Sequence, residues 1–206
     1  RHNVRWWRKQ LNKTPSYEFQ HYTGKAAIEY WPLFLTIEDS GWKGRGGSSI
    51  KSLSSEYQSY YNGLIHLLSD KDLLHMYFLE IDGRAAAGGF GYIDSDTFHY
   101  WKIGYDENYY PSTSASNLLI FYIIENLIDD FKDVKRFHMF PWDNGYKHRY
   151  VNEKAMYSKA VIFNRTFRGA CAYSLLVLKD RIKSVKGFES VMAPALKYLH
   201  EKATHE

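Results

Sequence analysis

The dipeptide Asp82-Gly83 separates two runs of β-forming residues, Leu73–Ile81 and Arg84–Ile93, and it restricts the fold more than any other feature. A two-residue loop of this composition accepts the positive φ angles that match the twist of an antiparallel strand pair. A third run, Thr97–Tyr105, follows the polar turn Asp94-Ser95-Asp96, so the middle of the chain is a three-strand meander. Pro111–Ser116 then leads into a strongly apolar helix over Asn117–Phe131 and a further strand at Val134–Phe140. A meander that continues through a helix to another strand makes a mixed sheet, and the fold class is α/β (α+β mixed sheet).

The flanks complete the pattern. Asn3–Leu11 reads as the tail of a helix and Tyr17–His21 as a strand. A helix is expected from Lys25 to Glu38, interrupted by Pro32. Gly41–Ser49 is a Gly/Ser-rich loop. Ser55-Glu56 opens a helix to Leu68, with Tyr57, Tyr60, Tyr61, Leu64 and Leu68 at helical spacing. Downstream, a short helix at Tyr146–Asn152 and a strand at Met156–Phe163 precede two helices, Thr166–Ser184 and Phe188–Lys202. The expected organisation is an upstream tail over residues 1–15, an α/β domain over 16–165 and a helical extension over 166–206.

Composition excludes several classes. Of 206 residues, 45% are hydrophobic and 24% charged, the balance of a folded domain and not of a disordered chain. No apolar run approaches the ~20 residues that cross a bilayer. The chain starts at Arg1 with no leader pattern, which reads as a piece excised from a longer cytoplasmic protein with an upstream domain as partner. Cys171, the one cysteine, excludes an internal disulfide and a cysteine-built metal site. It lies among Ala170, Ala172 and Leu175 and reads as a small buried hydrophobe. The net charge of +4 suits anionic ligands such as phosphates, and its spread over both ends argues against nucleic acid.

Three segments go beyond fold class. The first is Ile37-Glu38-Asp39-Ser40-Gly41-Trp42-Lys43-Gly44-Arg45-Gly46-Gly47. The second joins Leu79-Glu80-Ile81-Asp82-Gly83-Arg84 to Lys102-Ile103-Gly104-Tyr105-Asp106-Glu107. The third is Asp143-Asn144-Gly145-Tyr146-Lys147-His148-Arg149-Tyr150. In this order they resemble the GNAT acetyltransferase family of bacterial cellulose and exopolysaccharide biosynthesis, often called CelD-like, over roughly residues 5 to 155.

The resemblance implies a GNAT-like acyl-CoA N-acyltransferase fold with extra C-terminal helices. It also implies acetyl-CoA or another acyl-CoA as donor, and a small-molecule or carbohydrate acceptor. One departure is visible: where the family carries a glycine before its central helix, this chain has Ser114-Ala115-Ser116-Asn117.

The resemblance further implies that Phe98–Tyr105 and Val134–Phe140 part to receive the pantetheine arm, with Lys102, Gly104 and Tyr105 lining it. Ser114, Ser116 and Asn117, at a helix start, either hold the pyrophosphate or merely cap the helix. Glu38 is a base or a solvated residue at a helix end. Tyr146 protonates the leaving thiolate or packs its ring. Lys147 steadies a phosphate or the developing oxyanion, or is surface charge. Trp42 and Lys43 bind the acceptor, or Trp42 folds back over the core.

His99, His138, Asp143 and His148 match no metal-site spacing, and His138 is either an acid-base group or a satisfied strand histidine. Two other functions stay open: a FemAB-like aminoacyl or peptidyl transferase, and a GNAT-like module that binds without catalysis.

Overall fold

The computed structural model of the chain describes residues 2–14, 16–109, 114–140, 147, 150–154 and 160–184. They divide between two compact units, Arg1–Asn152 and Glu153–Glu206. The first unit is built on a five-stranded sheet in which β1 (Tyr17–Thr23), β2 (Leu74–Ile81), β3 (Arg84–Asp94), β4 (Thr97–Tyr105) and β5 (Arg136–Met139) lie side by side in chain order. The first three pairings are antiparallel and the β4–β5 pairing is parallel. Asp82 and Gly83 take φ of 49° and 73°, so the hairpin turn is of the type that its sequence demands.

Helices cover both faces. Against one face, α1 (His2–Leu11) and α6 (Ala115–Asp130) close a core containing Leu11, Tyr77, Leu79, Phe98, Leu119 and Ile123. Against the other, α2 (Gly24–Ala27), α3 (Trp31–Ser40) and α5 (Ser55–Asp70) enclose Phe34, Ile37, Ile65, Met76, Phe78 and Phe90. The inner strand β2 supplies alternate residues to both cores, which is why its sequence is almost continuously apolar. Each such side chain contributes about 1.5–3 kcal/mol of burial energy.

Several boundaries differ from the sequence expectation for identifiable reasons. Pro32 does not kink one long helix. It sits in the first turn of α3, where its missing N–H is harmless, and a 3₁₀ turn over Ile28–Tyr30 separates α3 from α2. The stretch Gly41–Ser49 is not wholly loop, since α4 (Trp42–Arg45) forms a helical turn closed by the Gly46 N–H donating to the Trp42 carbonyl at 2.8 Å. β5 is shorter than Val134–Phe140, because the N–H groups of Lys135 and Arg136 both donate to the Asp96 carbonyl, at 2.7 and 3.0 Å.

In the second unit, residues 160–163 form no strand, and Val161 and Ile162 are exposed. The remainder of the expected strand, most of the short helix at Tyr146–Asn152 and the helix Phe188–Lys202 lie outside the described residues. α7 (Phe167–Ser184) starts where the Gly169 N–H donates to the Thr166 hydroxyl at 3.1 Å. Cys171 is exposed on α7 and is not the buried hydrophobe expected, because no other described helix or strand of this unit covers its apolar residues. Among the described residues no helix is long and apolar enough to cross a membrane.

Candidate active site

β4 runs beside β3 for its whole length, from Ala87↔Tyr105 to Asp94↔Thr97, but beside β5 for four pairs only, from Thr97↔Arg136 to Tyr100↔Met139. The β3–β4 register slips between Phe90↔Lys102 and Gly91↔Tyr100, which leaves Trp101 as the extra residue of a β-bulge. A bulge bends its strand and increases the local twist. The bend therefore falls at the residue where β4 parts from β5. From Trp101 to Tyr105 the β5-facing edge of β4 has no ladder partner among the described residues, and a strand edge of this kind presents N–H and C=O groups to any extended chain laid along it.

The bulge also brings two consecutive side chains toward α5. The Trp101 indole lies near the Tyr61 hydroxyl, and the Lys102 ammonium lies 5.0 Å from the centre of the Tyr61 ring. Lys102 reaches Glu38 Oε1 at 2.7 Å, and Lys43 Nζ approaches the same oxygen at 3.3 Å. Glu38 Oε2 accepts the Ile50 N–H at 2.9 Å. Glu38 is 1% exposed, so it is not a solvated helix-end residue: it is a buried carboxylate whose two oxygens are both engaged.

Lys43 also donates to the Ile103 carbonyl on β4. Burial holds its ammonium below the usual lysine range; Glu38 opposes that shift and Lys102 adds to it. Two ammoniums and one carboxylate leave one excess positive charge. Gly104 allows this approach, since a Cβ there would stand 2.6 Å from Glu38 Cα.

Beyond the cluster, Trp42 is half exposed and so does not plug the core; its indole lies near the Tyr105 hydroxyl. Burial, reinforced by the Glu107 carboxylate, pushes the Tyr105 phenol up. Arg45 pairs with Glu107 in turn, so α4 is tied to the end of β4.

At the head of α6, Ser114 adopts the left-handed conformation, φ 50° and ψ 57°. Its hydroxyl accepts from the Asn117 amide, whose oxygen accepts from the Tyr150 hydroxyl. The first N–H groups of a helix have no partner within it, and here they carry the positive end of a 16-residue dipole. Lys147 donates to the Phe140 carbonyl just past β5.

On the fork itself, His99 and His138 are register partners, and their Nδ1 atoms lie 3.1 Å apart. Burial lowers both imidazoles.

Of the residues singled out from sequence, Glu38, Lys43, Lys102 and Gly104 converge in one cluster, with Trp42 and Tyr105 near each other at its margin. Ser114, Ser116 and Asn117 open α6. Tyr146 lies outside the described residues. Tyr61 and Trp101 were missed. Tyr61 sits in a helical stripe that reads as core, and strict alternation would have sent Trp101 to the face opposite Lys102. The His99–His138 pairing was also missed, for it needs the register of two strands distant in sequence.

Residues 1–148 match the family model described as acetyltransferase (GNAT) domain. No curated protein matches the sequence. Solved structures are similar in fold. A GCN5-related N-acetyltransferase from Ralstonia eutropha JMP134 has a TM-score of 0.53 at 9% identity, over 71% of this chain and 99% of its own. A Pyrococcus furiosus chain described as an acetyl transferase has a TM-score of 0.50 at 14% identity, over 70% and 100%. AAC(6')-Iy, solved with a bisubstrate analogue of CoA, has a TM-score of 0.46 at 12% identity, over 71% and 99%. With the family model matched across more than half of its length, the chain belongs to the acetyltransferase (GNAT) domain family of acyl-CoA-dependent enzymes, which use acetyl-CoA.

Proposed function

We propose that this domain transfers an acetyl group from acetyl-CoA directly to an amine or hydroxyl of a small-molecule or carbohydrate acceptor, in the manner of the CelD-like branch of the family. The observation that carries this reading is the fork, where the β4–β5 ladder ends next to the bulge at Trp101 and Trp101–Tyr105 has no second ladder among the described residues. An extended amide-bearing arm such as pantetheine pairs with an edge of this kind.

Bound there, the thioester supplies an activated acyl carbon. The chain's own groups bind and orient it. The head of α6, with Ser114, Ser116 and Asn117, supplies N–H donors and a positive dipole end suited to pyrophosphate. The backbone of Lys102, Gly104 and Tyr105 lines the arm, while the Lys102 side chain is committed to Glu38. Lys147, beside the Phe140 carbonyl, holds positive charge near the end of β5. Tyr146, its neighbour in sequence, is the proton donor to the departing sulfur. Glu38 acts through Lys43 and Lys102 as a positioning residue, for its engaged oxygens hold α3, α4 and β4 in one arrangement.

The carbohydrate assignment rests on the CelD-like segments and on aromatic faces left open beside the cluster. Trp42 is 50% exposed and Tyr60 53%, and flat aromatic rings with polar tips suit the mixed surface of a sugar.

Isothermal titration of the purified chain with acetyl-CoA tests the donor, and thiol detection of released CoA across amino sugars and oligosaccharides tests the acceptor. Saturable binding with release dependent on an amino sugar is expected. Absence of heat with acetyl-CoA and longer acyl-CoAs sinks the reading.

A further inference from the structure

We propose that His99 is the general base of the transfer and that His138 is its positioning partner, the two imidazoles forming a proton-holding pair where β4 and β5 part. This rests on the acetyl-transfer reading above and names a residue within it that neither the motifs nor the resemblance supplied.

Three observations converge. His99 and His138 face each other in the penultimate pair of the β4–β5 ladder, two residues before the bulge at Trp101. Their Nδ1 atoms are 3.1 Å apart, so one Nδ1 carries a hydrogen and the other accepts it. Aromatic rings surround the pair: Tyr92 stacks on His99 at 4.7 Å between centroids, and Phe140 lies 5.2 Å from His138 and 4.7 Å from Trp101. Both rings are half-buried, neither locked in the core nor fully in solvent.

The neighbouring charges decide which ring donates. His99 feels the Asp94 carboxylate, which favours a proton on it, against Arg136, which opposes one. His138 feels Lys147 and its partner ring, both unfavourable to added positive charge. Asp94 thus gives His99 a carboxylate that favours positive charge on its ring. That assigns the hydrogen of the shared bond to His99 Nδ1 and leaves Nε2, across the same ring, with its lone pair. Both imidazoles sit below their ordinary value, chiefly through burial, so this lone pair is available at neutral pH.

The step balances. The acceptor's nitrogen or oxygen lone pair forms the bond to the acyl carbon, the C–S bond breaks with its electron pair leaving on sulfur, and the acceptor's proton passes to His99 Nε2. The resulting imidazolium donates its Nδ1–H to neutral His138, which spreads the charge over two rings. Release of that proton to solvent, and protonation of the thiolate, restores the starting state.

Two measurements on the full chain test this. Long-range ¹H–¹⁵N spectra of histidine-labelled protein read the tautomers without any substrate: His99 is expected as the Nδ1–H form and His138 as the Nε2–H form, and the reverse assignment overturns the proposal. Second, His99→Asn keeps an amide donor at the Nδ1 position and removes the far nitrogen, while His99→Gln places an amide at the Nε2 position.

Both variants are expected to bind acetyl-CoA by titration as the parent does and to lower kcat/KM for glucosamine at pH 7.5 by about 100-fold. The acidic limb of the pH–rate profile should disappear with them. An Asn variant with parental rate and limb overturns the assignment and leaves acetyl transfer standing. A parent that binds no acetyl-CoA removes the reading on which the proposal rests.

Discussion

Gly104 of β4 lies so close to the backbone of Glu38 in α3 that a methyl group added to it would stand 2.6 Å from Glu38 Cα. The obstacle is a helix backbone and not the tip of a side chain, so relief requires α3 to move off the sheet. Gly104→Ala is expected to destabilise the domain by about 1–3 kcal/mol. Gly63, inside α5, has nothing within 4 Å of the same added atom. There the substitution removes helix-interior glycine and should stabilise by about 0.5–1 kcal/mol. Urea midpoints of the two variants should move in opposite directions, and a parallel shift would refute the contact.

The Glu38 cluster makes a different prediction. Its side chain is fully excluded from solvent, and the two lysines that reach it are less than a fifth exposed. Glu38→Gln leaves two neighbouring ammoniums without their carboxylate, at a cost of about 3 kcal/mol at pH 7. Since Lys43 already sits below the usual lysine range, raising the pH toward 10 discharges it and removes the conflict. The variant's stability deficit should therefore shrink with rising pH. Adding Lys102→Met should restore part of the loss at pH 7. Additive damage in the double variant would show that the charges are not coupled.

These two contacts also mark the limit of what the sequence discloses. The hairpin, the meander and the apolar crossover helix are local signals, set by Asp82-Gly83, by the polar turn Asp94-Ser95-Asp96 and by the apolar run of α6, and all three stand in the structure. The segment Glu38 to Gly47 could be picked out as chemically unusual, yet not that Glu38 turns inward, since burial of a helix-end acid is decided by lysines at 43 and 102 together. The bulge at Trp101 has no glycine or proline beside it on β4, and Gly91 opposite it on β3 becomes telling only once the two strands are paired. The bulge arises from pairing with β3, and it sets both the fork and the approach of Trp101 and Lys102 to Tyr61. Pairings between distant strands, such as His99 with His138, become visible only once register exists.

Ser114 takes over a left-handed position that glycine fills without strain. A serine at φ 50° carries a conformational cost of about 1 kcal/mol. Ser114→Gly relieves this cost but loses the hydroxyl that accepts from Asn117 and loosens the unfolded chain. These effects nearly cancel, so Ser114→Gly should stay within about 0.5 kcal/mol of the parent, on the unstable side. Ser114→Ala keeps the strained backbone and loses the hydroxyl, and should be destabilised by about 1 kcal/mol. Thermal midpoints should place Ala below both Gly and Ser; Ala at or above Ser would mean that the hydroxyl bond contributes nothing.

The pair His21 and His75 sets a pH dependence of stability. His21 Nε2 lies 3.0 Å from His75 Nδ1, and the His21 ring stacks on Tyr77 at 4.0 Å. His75 is 5% exposed, edge-on to Phe98 and Phe131. Burial holds both imidazoles down to about 4, with His21 adding to the effect on His75 and Asp72 opposing it. Below pH 6.5 the unfolded chain takes up protons that the folded chain refuses until about pH 4. The stabilising contribution is therefore complete at neutral pH and is lost as pH falls through that window.

Allowing for residual solvent around His21, each histidine should cost about 1 kcal/mol per pH unit on acidification. His99 and His138 shift the same way and add to the slope, so the pair must be isolated by substitution. Urea unfolding of the parent from pH 7 to 5 should give a midpoint that falls steadily at constant m-value. In His21→Gln the fall should be shallower by one proton. An unchanged slope in that variant would show that His21 titrates alike in the folded and unfolded chain.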